Sequence, residues 1–333
     1  MLNSNSAIKI NLITIIAVYF LILVGGIVRN MESGMGCPDW PKCFGAYIPP
    51  TTDEGLPENY QEMYVEKRVK KNIKLSNLLS DLGLNDLSET LLNDKKIYKS
   101  ESFSVEKAWI EYINRLIGVV IGFLILLNFF MSFWIKKKVV RLLALSSLVL
   151  VLFQGWVGSI VVSANLLPGF ITFHMFLALL LVSLLIIQHV KSREFGNPYA
   201  SQASLIIALL VLFIIQLFLG VNVREQVDIL KSLGIEKSSW ISEMNFVFYI
   251  HRSFSIVIIG LIGWLFYQTN KNGKRNPTVL TLVTIIVCEV IIGAIMAYFD
   301  FPLFTQAIHL LLGSLAFGII VHIQAISMTK INY

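Results

Sequence analysis

Apolar residues run along this chain in blocks too long for the core of a soluble domain and too continuous to alternate in and out of a sheet. Such blocks recur near 8–29, 108–134, 139–163, 168–190, 202–223, 244–267, 278–298 and 302–327, and a helix needs about 20 mostly apolar residues to cross the hydrocarbon layer of a bilayer. A membrane barrel would show shorter segments, about 10 residues of alternating polarity. The pattern therefore predicts eight spans, and an all-α integral membrane fold in which every backbone amide is satisfied within its own helix. The first block could be mistaken for a secretory leader. It is long, its basic flank is weak and it lacks a small-residue cleavage site, so it reads as span 1.

Composition agrees with this: 56% of the 333 residues are hydrophobic and 14% charged, and the mean hydropathy is +0.72, outside the soluble range. The net charge of +6 would raise the question of nucleic acid in a soluble protein. Here the cations fall in short loops on one side of the chain's path, Lys136–Arg141, Lys191–Arg193 and Lys271–Arg275, while the loops after spans 3 and 7 hold no Lys or Arg. By the positive-inside rule both termini are cytoplasmic. The lipid bilayer is the expected partner and nucleic acid is not.

The polar residues at the span ends repeat. Span 1 ends GGIVR (Gly25–Arg29) and span 5 ends GVNVR (Gly220–Arg224); span 2 opens EYINR (Glu111–Arg115) and span 6 holds FYIHR (Phe248–Arg252). Gln154, Gly158 and His174 of spans 3 and 4 match Glu289, Gly293 and His309 of spans 7 and 8, each at an offset of 135. The chain thus reads as two pseudo-symmetric four-helix bundles, residues 1–190 and 191–333, and duplicated membrane units tend to build their sites at equivalent positions. The first half carries 58 extra residues between its first two spans. This insertion, about 46–107, is polar, has helical apolar spacing over Glu58–Lys71 and Leu75–Leu92, and is expected outside the cytoplasm as a small cap or a docking surface.

All five histidines lie in or beside spans, where an ionisable side chain is costly and marks function. His174, His251 and His309 fall toward the extracytoplasmic end. His189 is roughly 22 Å from His174 along one helix; it and His322 are expected to meet headgroups and water. His251 and His309, at one depth on equivalent helices, suit two axial haem ligands or, failing that, a buried hydrogen-bonded pair or a proton path. Their first-half counterparts are Asn114 and His174, one poor iron ligand and one good one. Glu111 stands where the second half has Phe248, either as an acid–base carboxyl near a haem or as a carboxylate paired with Arg115. Arg115 and Arg252 are candidates for haem propionates or for snorkelling to headgroups. Cys37 and Cys43, in CPDWPKC, can close a disulfide, act as a redox pair or hold a metal; with no histidine nearby zinc is disfavoured, and the disulfide is expected. Cys288 is expected in packing, beside Glu289, a mid-span carboxyl that needs a partner.

Together GG-x-VR, SGMGCPDWPKCFG (Ser33–Gly45), EYINR and the histidines of spans 4, 6 and 8 resemble the haem A synthase family, over nearly the whole chain except the 47–106 insertion. The resemblance implies an enzyme that oxidises the C8 methyl of haem O to a formyl group. It implies a haem b held by His251 and His309 in the second half, and haem O bound in the first half near His174 and the essential Glu111. It further implies an extracytoplasmic cysteine pair, an electron donor, and haem O synthase as a supplier of substrate in a bacterial-type cell membrane. Where the family has Glu-x-x-His, this chain has Glu111 and Asn114, so two histidine ligands to the substrate do not carry over. An electron-transfer cytochrome b would need two symmetric histidine pairs, which Asn114 opposes; a haem-binding member without synthase activity is the other reading. A transporter fits poorly, since the repeat is parallel and its histidines do not mark a path through the midplane.

Overall fold

The computed structural model describes residues 3–98, 100, 102–164, 166–271 and 275–329, apart from the side chains of Lys96 and Pro168. Within the third basic loop, Asn272, Gly273 and Lys274 lie outside the described residues. The described residues form eleven α-helices, short 3₁₀ turns and no strand: α1 (Ser4–Asn30), α2 (Tyr60–Asp81), α3 (Asn85–Asn93), α4 (Val105–Met131), α5 (Lys138–Ser163), α6 (Pro168–Ser192), α7 (Ala203–Ser232), α8 (Trp240–Glu243), α9 (Phe246–Asn270), α10 (Pro277–Tyr298) and α11 (Thr305–Ser327). Eight of them, α1, α4, α5, α6, α7, α9, α10 and α11, are long and apolar enough to cross a membrane. Their outward faces carry large bare side chains such as Ile16, Phe20, Phe123, Leu152 and Ile256. Such surfaces are stable only where the solvent is itself hydrocarbon.

The chain divides into two compact units. One comprises Met1–Gly26, Leu124–Leu148 and Leu179–Tyr333. Within it α7 packs on α9, α9 on α10, α10 on α11 and α11 back on α7, a closed ring of four helices with α9 and α11 on one diagonal. α11 is the most enclosed, because Ala307, Gly313, Ser314 and Ala316 keep its surface small and let neighbouring backbones approach. A Cβ on Gly26 would already stand 3.2 Å from the Ala307 backbone. With no hydrophobic drive between helices in lipid, buried polar pairs help fix the packing. Asn128 and Gln188 exchange amide hydrogen bonds of 2.9 and 3.1 Å, and Asn11 donates to the Leu185 carbonyl at 3.3 Å. His189 is a correction to the sequence reading: it is buried, with Nδ1 2.9 Å from Asn11 Oδ1, instead of wetted among headgroups.

α7 runs nine residues past its apolar block, to Ser232. At 30 residues it is about 45 Å long, more than the hydrocarbon layer of about 30 Å. The surplus turns carry an Arg224–Asp228 ion pair of 2.9 Å and end in a small apolar cap of Val227, Leu230, Trp240, Met244, Phe248 and Phe301.

The second unit comprises Ile27–Phe123 and Val149–Ala178 and contains the insertion. Two helical stretches separated near residue 72 were the expectation; instead α2 continues unbroken to Asp81, since nothing between Lys71 and Leu75 is a glycine or proline. It stops at Gly83, φ +77°, with Leu84 N–H returning to the Leu79 carbonyl at 2.8 Å, a glycine C-cap. Tyr64, Arg68, Asn72, Ser76 and Leu79 form the buried stripe of α2. Asn72 donates to the Ser163 carbonyl at the end of α5, 2.8 Å away, and Leu79 and Leu91 pack with Ala164 and Leu167. The insertion is therefore folded onto the loop between α5 and α6.

Candidate haem-binding and oxidation site

The second half brings its two expected ligands together. His251 on α9 and His309 on α11 face each other along the diagonal of the helix ring, with ring centres 6.5 Å apart and planes at 80°. The neighbouring helices make room for them with glycine. A Cβ on Gly220 of α7 would lie 3.0 Å from His251 Cε1, and one on Gly293 of α10 would lie 3.5 Å from His309 Cε1. Nδ1 of each ring is buried without a hydrogen-bond partner, an unusual condition for a buried polar atom.

These observations test whether the residues fit an iron porphyrin. Two imidazoles bonded to one metal from opposite sides, at about 2.0–2.1 Å each, have ring centres roughly 6.5 Å apart. The spacing in the structure is that spacing, and neutral imidazole is an ordinary iron ligand. The pair fits. Arg252 is next to His251 in sequence and its guanidinium lies over the Tyr249 ring, 5.7 Å from the centroid.

Glu289, whose partner the sequence left unnamed, is explained by the same cluster. Its Oε1 lies 3.3 Å from His309 Nδ1, within ion-pair reach but off hydrogen-bond geometry, and its Oε2 is buried without a partner. A Cβ on Gly313 would stand 3.1 Å from Oε1, so α11 leaves a notch for the carboxyl. Cys288 is exposed and free, not packed as expected.

In the other unit His174 of α6 repeats the arrangement. A Cβ on Gly158 would be 3.3 Å from its Cε1, Gln154 donates to the His174 carbonyl at 2.9 Å, and Nδ1 is buried and unpartnered. Asn114 Oδ1 on α4 is buried and unpartnered as well.

Glu111 and Arg115 belong to the cysteine loop more than the sequence indicated. Cys37 and Cys43 form a disulfide with Cα atoms 4.7 Å apart. Glu111, 3% exposed, accepts the Cys37 N–H at 2.7 Å and pairs with Arg115. Arg115 also donates to the carbonyls of Asp39, Lys42 and Cys37 at 2.7, 3.1 and 2.9 Å. The carboxylate paired with Arg115 is thus the arrangement present. The guanidinium of Arg115 holds backbone carbonyls of the loop. The loop lies close on α4 because Gly36 has no Cβ; one added there would collide with the Lys107 carbonyl. Asp39 ties the far side, accepting from Phe44 and Gly45 N–H at 2.7 and 2.9 Å, and Phe44 meets Tyr60, Tyr64 and Phe103 edge to face. Burial, then the nearby Asp39 carboxylate, pushes the Tyr64 phenol up to about 12.

One residue not singled out from the sequence belongs here. Gln216 of α7 donates to the His251 carbonyl at 3.0 Å, as Gln154 does for His174. Both stand four residues before the glycine under the ring, a spacing that Glu289 and Gly293 share. That recurrence was the available signal.

Comparison with known proteins gives a family match across most of the chain. The model of the COX15-CtaA family, described as cytochrome oxidase assembly protein, matches residues 9–78 and 90–321. It therefore takes in most of the insertion, which the sequence reading had set outside the resemblance; within the insertion only 79–89, around the α2–α3 turn, is unmatched. A protein of Shewanella oneidensis named Heme A synthase is 27% identical over 181 residues, 54% of this chain and 44% of that protein. One of the same name from Ehrlichia canis is 28% identical over 179 residues, 51% of this chain and 44% of that protein. Against both, the chain spans less than half of the relative's length. A third, from Flavobacterium psychrophilum and also named Heme A synthase, is 24% identical over 325 residues, 88% of this chain and 89% of that protein.

Proposed function

Since the chain belongs to the COX15-CtaA family of cytochrome oxidase assembly proteins, we propose that it is a haem A synthase, an oxidoreductase converting the C8 methyl of haem O to the formyl group of haem A. The observation that carries the haem reading is the His251–His309 pair, spaced 6.5 Å between ring centres. In this proposal His251 and His309 hold a resident haem b, which when bound supplies a one-electron redox centre. Arg252 is the propionate contact of that half.

The substrate haem O belongs to the first half, with His174 on its iron. Asn114 cannot replace a second histidine as a strong ligand, so the opposite face of the iron is left open or weakly held. Glu111 is the carboxyl of this half. The Cys37 N–H and the Arg115 guanidinium hold it in place. The disulfide loop and the insertion lie on the extracytoplasmic side, both termini lie in the cytoplasm, and the halves are 1–190 and 191–333. An electron donor and a haem O synthase are the partners this chemistry requires.

The test is co-expression with a haem O synthase in a host that makes no haem A, followed by chromatography of the extracted haems. Haem A, or its hydroxymethyl precursor, is the expected result. Haem B and haem O alone, with a bound-haem spectrum, would favour the second reading that Asn114 motivates, an electron-transfer cytochrome b or a member without synthase activity. Asn114→His supplies the missing imidazole. It is expected to fold and to convert the substrate haem to a six-coordinate, low-spin form, seen in the spectrum of the haem O-loaded protein. An unchanged spectrum with unchanged product yield would count against the one-sided ligation.

A further inference from the structure

Three of the four helix pairs in the repeat use one device. A Gln or Glu stands one turn before a glycine, and that glycine lies under the histidine of the next span: Gln154 and Gly158 for His174, Gln216 and Gly220 for His251, Glu289 and Gly293 for His309. In the fourth pair both parts are altered, because the position four before Gly25 is Leu21 and the histidine is Asn114. Where the residue is glutamine, its side-chain amide donates to the histidine's main-chain carbonyl and fixes the helix. A carboxylate has no proton to donate in that way. At Glu289 the side chain turns to the ring instead, with Oε1 3.3 Å from Nδ1.

We propose that Glu289 is the positioning residue of His309, its carboxyl holding the ring by Nδ1–H so that the other nitrogen, Nε2, is offered to iron. Such an acceptor behind an imidazole ligand fixes its tautomer and rotation and raises its basicity. A more electron-rich ligand favours ferric over ferrous iron and lowers the potential. His251, whose glutamine is spent on backbone, lacks this partner. The two axial ligands would therefore be unequal, with His309 the stronger donor. This rests on the haem b reading proposed above, and it goes further by assigning a task to a buried carboxyl that the reaction itself does not use.

The experiment is potentiometric titration of the purified, haem-loaded full chain, with optical and EPR spectra, for wild type, Glu289→Gln and Glu289→Asp. Glutamine already occupies the equivalent position 154, so Glu289→Gln is expected to fold and keep both axial histidines while its midpoint potential rises. Glu289→Asp should return the potential part of the way toward wild type. Loss of haem from folded Glu289→Gln, restored in Glu289→Asp, would also support the assignment, since only a carboxyl would then hold the ring. A wild-type potential and wild-type EPR signature in haem-loaded Glu289→Gln would overturn it, as would failure of both variants to fold, which would make the residue purely structural. Wild-type protein that carries no haem would instead overturn the reading beneath it.

Discussion

Replacing His309 by alanine is expected to remove the reduced-minus-oxidised haem signal of the purified protein while leaving its helical content intact. The loss should exceed the 10–100-fold fall in affinity typical when a mere partner of a metal ligand is removed, because here the ligand itself goes. His251→Ala should behave in the same way, since the two rings face one another at 6.5 Å and neither alone can hold an iron from both sides. Added imidazole should restore part of the signal in either variant, as the glycines beneath the rings leave a cavity of the right shape. His189→Ala is the control. It breaks a 2.9 Å contact with Asn11 and should lower stability without touching the spectrum. A full signal in His309→Ala, or its loss in His189→Ala alone, would move the haem elsewhere.

These two outcomes differ because the histidines differ in what their ring nitrogens meet, and only part of that difference could be read from the sequence. The pairing of His251 with His309 was legible: a repeat places equivalent residues at equivalent depth, and depth follows from counting residues at 1.5 Å each. Rotation about the helix axis does not follow so directly. Asn11 and His189 are 178 positions apart, and nothing in the local pattern around either says that α1 and α6 present them to each other. Glu289 was recognisable as a costly buried carboxyl, but its partner on α11 depends on the crossing of two helices, which side-chain volumes such as that of Gly313 decide. The long α7 escaped for a different reason. Its last turns are polar and stable outside the hydrocarbon layer, so hydropathy stops marking the helix before the helix stops.

The same distinction separates the two halves. The duplicated motif made the second-half site readable because both of its histidines survive, whereas in the first half Leu21 and Asn114 replace a polar residue and a histidine together. Two changes in one quarter point to a pocket altered as a whole. Under the function proposed above, a first half holding its haem from the His174 side and a second half holding one from both sides would divide exchange from retention. A substrate must leave, and a resident electron carrier must stay.

Arg115→Ala is expected to be the most destabilising single change around the disulfide loop, costing about 3–5 kcal/mol, the usual consequence of stripping one partner from a buried ion pair. Glu111 would be left 3% exposed without its guanidinium partner. Three carbonyls of the disulfide loop would also lose their donor. Thermal unfolding in detergent and proteolysis of the 37–45 loop would measure this. Glu111→Gln keeps an oxygen for the Cys37 amide, and Arg115 keeps its three carbonyls, so it should unfold within about 1–2 kcal/mol of wild type, the scale of one altered hydrogen bond. The double variant Glu111→Leu with Arg115→Met removes both charges and should recover part of the stability that Arg115→Ala loses. Product formation then separates structure from chemistry. Glu111→Gln that folds, binds haem O and makes no haem A places the carboxyl in the reaction. Glu111→Gln with wild-type yield would reduce it to the post on which Arg115 hangs the disulfide loop.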